Sequence, residues 1–237
     1  MINAIKWLLL YVVVQFSLMI GFSFVYINNG NDPNLLGDFI NDSRIYLVLI
    51  IALIFIPLYL IKYNKFKIEP KKTNIIKLVL IVIFLSVGYN ILAYYLDKYV
   101  LLSGLYNNNS NLLIGIISTV LIGPIIEELL FRGMIYNELK LKYDIKKSMI
   151  ITTLLFAISH FTIIQIIYTI IFGYFLNKVY EKYQNIKYVI ILHMISNLVT
   201  TFISLFIIKD YIVANILLLI ISSLFIFLNR NVLKEVF

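Results

Sequence analysis

The chain has 237 residues, 62% of them hydrophobic and only 14% charged, with a mean hydropathy of +0.95. Soluble domains run at about 45–50% apolar and ~25% charged residues, so a soluble globular fold is excluded. The 20 Lys and Arg against 12 Asp and Glu leave a net charge of +8, and the lack of Cys removes disulfides, thiolate metal sites and cysteine nucleophiles together.

Crossing ~30 Å of hydrocarbon takes about 20 residues of helix. Apolar runs predict helices at 4–27, 45–62, 75–96, 112–136, 148–161, 163–181, 187–208 and 211–229, cut by polar breaks at 28–42, 62–74, 97–111 and 137–147. The expected fold is an all-α, polytopic membrane bundle of about eight transmembrane helices. It forms a single integral membrane domain over 1–237, and 112–208 holds the helices that carry the chemistry. The first segment outruns the 7–15 residues of a signal-peptide core and has no small-residue cleavage site, so it reads as a span. Trp7 and the Tyr residues near span ends fit interfacial anchors. The run 148–161 is the exception. At 1.5 Å per residue it reaches only ~21 Å, which predicts a turn near Ser159–Thr162 at membrane depth, buried in protein or lining a wet cavity.

Basic residues alternate between connections. One side collects Lys6, the lysines of 62–77, 140–147 and 178–187, Arg230 and Lys234, while the other holds Arg44, Lys98 and Lys209 among several Asp. The positive-inside rule then places both termini in the cytoplasm. Charge spread over topogenic loops, rather than gathered with stacking aromatics, also argues against a nucleic-acid partner.

Ionisable groups deep in a span are costly and mark functional sites. Those away from span ends are Glu127, Glu128, Arg132, His160 and His193, the last two being the only histidines. Measured from the cytoplasmic helix ends at 1.5 Å per residue, Glu127, His160 and His193 lie ~15, ~18 and ~10 Å deep, which predicts one polar layer in the cytoplasmic half of the membrane. Glu128 and Arg132, four apart, share a helix face and can form an ion pair that offsets the burial of both. Glu127 points elsewhere and is left less compensated, the condition of a general base. His193 and Asn197, also four apart, can both donate to one point. Phe156 shares a face with His160 and can wall the site. Gly123 and Pro124 are expected to kink their helix, and Gly173 to allow close helix packing.

In chain order, Glu127 to Gly133 reads EExxxRG, Phe156 to His160 reads FxxxH, and His193 to Asn197 reads HxxxN. The ordered triple resembles the CPBP family of intramembrane proteases, also called the ABI or CAAX protease and bacteriocin-processing family. The resemblance covers about 70 residues, 127–197, while the first 110 offer nothing diagnostic. It implies an eight-helix fold that hydrolyses peptide bonds at the membrane. Glu127 and His160 would activate water, His193 and Asn197 would stabilise the oxyanion, and Glu128 and Arg132 would support the site. Since the family is often labelled metalloprotease, Glu127, His160 and His193 are the ligands if zinc is present, with Glu128 then the base. No HExxH pairing occurs, so metal-free hydrolysis with no cofactor is the favoured reading.

Two other function classes compete. One is a non-catalytic bacteriocin-immunity protein that binds on the same scaffold. The other is an ion-coupled transporter, which would favour internal repeats that this sequence does not display. The expected partners are membrane lipid and a membrane-associated protein or peptide cut near the cytoplasmic leaflet. Composition suggestive of AT-rich coding, with no visible organellar signal, points to a bacterial plasma membrane. Bacteria generally lack prenylated CAAX proteins, so peptide maturation, bacteriocin processing or self-immunity is the expected setting.

Overall fold

The computed structural model describes residues 2–63, 71, 73–101, 112–160, 162–206 and 211–237. Among these there is no strand. The main helices are α1 (Ile2–Asn28), α2 (Leu36–Asp42), α3 (Arg44–Tyr63), α4 (Ile75–Leu96), α5 over 112–140, α6 (Ile145–Ile158), α7 (Ile163–Tyr183), α8 (Ile186–Phe206), α9 (Ile212–Leu228) and α10 (Arg230–Val236). Eight of them fall where the apolar runs predict.

Six are long and apolar enough to cross a membrane, and α9 with α10, bent by 58°, makes up to seven. The difference from eight lies in α6, whose 14 residues rise only ~21 Å. Its start is fixed by Asp144, whose carboxylate accepts the Lys147 backbone N–H at 2.9 Å. Its end comes at Ile158 rather than 161, because Ser159 and His160 turn back onto the last carbonyls. Phe161, in the turn expected there, lies outside the described residues.

The chain forms two compact units, Met1–Lys67 with Asn109–Ser148, and Ile68–Asn108 with Met149–Phe237. In the first, α5 packs against α1 and α3. The helix α5 is not regular: Ile116–Ile122 and Leu129–Tyr136 are π-helical. Single π turns are frequent at functional sites, and here two such stretches flank the Glu pair. The first accommodates Gly123 and Pro124. Gly123 N–H donates to Ser118 O, five residues back, and a Cβ on Gly123 would stand 2.9 Å from that oxygen. Pro124, which has no N–H, takes an opening position of the α-helical turn that follows.

The second π stretch is buried at every residue, and Tyr59 of α3 lies over Gly133, where a Cβ would be 2.5 Å from Cε2 of the ring. Gly133→Ala should therefore cost about 1–3 kcal/mol of overpacking. Thermal unfolding in detergent measures it, and Tyr59→Leu in the same chain should recover most of the loss. Near its end α5 is tied to α1 by Asn3, whose amide donates to Glu138 at 3.1 Å.

In the second unit α4 packs along both α8 and α9, α7 packs on α8, and α10 returns to α7. Gly88 of α4 faces Ser222 of α9, and a Cβ at 88 would meet Ser222 Cβ at 3.5 Å, an ordinary contact the packing would accept. Polar side chains hold the α6–α7 hairpin. The buried Asn177 amide donates to Met149 O at 3.1 Å and to Thr153 Oγ1 at 2.9 Å.

Candidate active site

Glu127 and Glu128 end the α-helical turn between the two π stretches. Glu128 is wholly buried, and its Oε1 accepts from Nη1 of the equally buried Arg132 at 2.8 Å. The expected i, i+4 pair is therefore present. Glu127 is only half-buried, with Oε1 about 4.0 Å from where a Gly123 Cβ would stand. The charge of Glu127 acts on Arg132 and also on Tyr11 of α1, whose ring packs edge-on against Phe55 at 5.7 Å. Tyr11 carried no sequence signal, since a chain with 18 Tyr makes any one of them uninformative.

The second unit gathers the histidines around one ring. Phe156, fully buried, meets His160 edge-on at 4.9 Å and His193 edge-on at 5.8 Å, and Phe172 adds a further edge contact to His193 at 5.8 Å. Phe156 thus walls both imidazoles, which extends the role its spacing suggested for His160 alone.

His160 Nδ1 lies 2.9 Å from Phe156 O. A backbone carbonyl can only accept, so Nδ1 carries the proton and the neutral ring keeps its lone pair on Nε2. The FxxxH spacing therefore does two jobs: it ends α6 and fixes the tautomer that leaves Nε2 basic. His193 and the half-buried Asn197 both lie on α8. The EExxxR group belongs to the first unit and the FxxxH and HxxxN groups to the second.

Among the described residues no three His, Cys, Asp or Glu side chains gather into a group able to hold a metal ion. Of the residues expected to hold zinc if it is present, Glu127 belongs to the first unit and His160 and His193 to the second.

Residues 109–199 match the family described as type II CAAX prenyl endopeptidase Rce1-like. Over that segment the chain is similar to the CPBP family of intramembrane proteases. No curated protein and no solved structure matches the chain. The matched segment takes in every residue of the three motifs, from Glu127 to Asn197, and leaves α1 to α4, α9 and α10 outside it. The similarity is to a protease family of the CAAX type, and the apolar helices fit an integral membrane protein.

Proposed function

We propose that the protein is an endopeptidase that cuts a membrane-associated protein or peptide near the cytoplasmic leaflet by Glu- and His-activated water. The observation that carries this reading is the division between two adjacent carboxylates. Glu128 is locked to Arg132 at 2.8 Å with both buried, while Glu127, one residue away, is half-buried. A carboxylate buried with its guanidinium is shut off from water and is a poor proton acceptor, whereas the half-buried Glu127 is within reach of water.

Glu127, with the basic Nε2 of His160, takes a proton from water as the oxygen attacks the scissile carbonyl. His193 and Asn197 donate to the oxyanion that forms, and the proton held by Glu127 passes to the departing amine as the C–N bond breaks. Preorganised donors of the His193 and Asn197 kind are worth about 3–4 kcal/mol each in other hydrolases. Cytoplasmic termini and a bacterial plasma membrane complete the reading, with peptide maturation, bacteriocin processing or self-immunity as the setting. The basic connections support the orientation, and the composition supports the source.

The test compares peptide termini in membranes carrying the wild-type protein or Glu127→Gln at matched expression. Termini that vanish with the variant establish proteolysis and name the substrate. Cleavage of that substrate by purified protein should survive chelation with phenanthroline; loss restored by added zinc would replace water activation by glutamate with metal activation. Identical termini in both strains, with the protein folded and a phenotype preserved, would favour the non-catalytic binding protein.

A further inference from the structure

The strongest unassigned feature is a cluster of three hydroxyls in the second unit. Ser86 of α4 and Ser196 of α8 are wholly buried, and Tyr168 of α7 reaches both. The distances are 3.1 Å from Ser86 to Ser196, 3.0 Å from Ser86 to Tyr168 and 2.5 Å from Tyr168 to Ser196. Three helices are thus pinned at one point. A second rung lies one turn further along: the Asn90 amide donates to Thr200 Oγ1 at 3.0 Å and to Ser86 O at 2.7 Å.

This cluster is continuous with the catalytic face of α8. Ser196 is three residues after His193 and directly precedes Asn197, so the bonds to Ser196 fix the rotation of the turn that carries both. Tyr168 reaches His193 by a second route. Its ring stacks on Phe172 at 5.2 Å, nearly parallel at 5°, and Phe172 is the ring that meets His193 edge-on. Apolar packing alone sets a helix rotation loosely in lipid, where no hydrophobic force distinguishes one helix face from another. Directional hydrogen bonds set it tightly.

We infer that Tyr168 is a positioning residue, which through Ser196 and Phe172 holds α8 in the rotation that aims His193 and Asn197 at the oxyanion. The role rests on the assignment of those two residues made above. It also gives α4, a helix outside the matched segment, a part in the site.

The experiment uses the purified full-length chain and an internally quenched peptide built on the Glu127-dependent terminus. Tyr168→Phe keeps the ring and removes only the hydroxyl. It should lower kcat about ten- to a hundredfold with KM changed less than about twofold, because the loss falls on the transition state. Ser196→Ala should do the same, and Ser196→Thr, which keeps a hydroxyl, should restore much of the rate.

Tyr89→Phe is the comparison. Tyr89 stacks on Tyr168 at 4.1 Å, but its hydroxyl donates to Ile164 O on α7, so its loss should lower the unfolding midpoint and leave kcat unchanged. Unchanged kcat in Tyr168→Phe, with His193→Ala and Glu127→Gln inactive, overturns the positioning role alone. So does a fall that only tracks the folded fraction. Full cleavage by His193→Ala overturns the oxyanion assignment and the positioning role with it.

Discussion

Replacing Arg132 by alanine should destabilise the protein by about 3–5 kcal/mol, a large share of the stability of a marginally stable domain. The reason is asymmetric. The guanidinium and the Glu128 carboxylate are both fully buried, and they meet at 2.8 Å. Removing one partner strands a charge where water cannot reach it, whereas removing both removes the desolvation cost as well. The paired replacement Glu128→Gln with Arg132→Met should therefore recover much of the stability lost in Arg132→Ala. Unfolding in detergent, followed by tryptophan fluorescence of Trp7 or by helical signal, separates the two variants. Equal losses in the single and the paired variant would show that the site tolerates an uncompensated carboxylate, and the division between Glu127 and Glu128 would lose its physical basis.

That pair was legible in the sequence because intrahelical geometry is local. Four residues apart on a helix is a contact whatever the rest of the chain does. The same holds for Phe156 with His160, and for the helices themselves, since polar breaks such as 137–147 cut apolar runs at places that no tertiary arrangement can move. The shortness of α6 was a matter of counting residues.

What was not legible depends on which helix lies beside which. The ring of Tyr59 over Gly133 explains why the EExxxR motif is followed by glycine, yet nothing in the spacing of 133 names a partner at 59. Phe156 meets His193 across 37 positions, and Ser86 meets Ser196 across 110. In a membrane the period of apolar residues carries little azimuthal information, because lipid-facing and buried positions are equally apolar. The π stretches of α5 escaped for a related reason. They change the helix by one residue per turn without changing its composition, and the Gly–Pro step read as a kink was the only mark they left.

Glu127→Gln should lower kcat for the Glu127-dependent peptide by about 10²–10⁴-fold, the usual contribution of a general base, while the unfolding midpoint stays at the wild-type value. Its immediate neighbour should behave in the opposite way. Glu128→Gln takes from the buried Arg132 guanidinium the carboxylate it is hydrogen-bonded to, so the unfolding midpoint falls, and the activity that remains per folded molecule should exceed that of Glu127→Gln. Two adjacent carboxylates on one turn thus give separable defects, one in rate and one in stability, because burial differs between them. Wild-type kcat in Glu127→Gln would refute the assignment. A reversal, with Glu128→Gln losing rate at full stability and Glu127→Gln losing bound zinc, would identify Glu127 as a metal ligand and Glu128 as the base. The comparison must be made per folded molecule, since Glu128→Gln lowers total activity through stability alone.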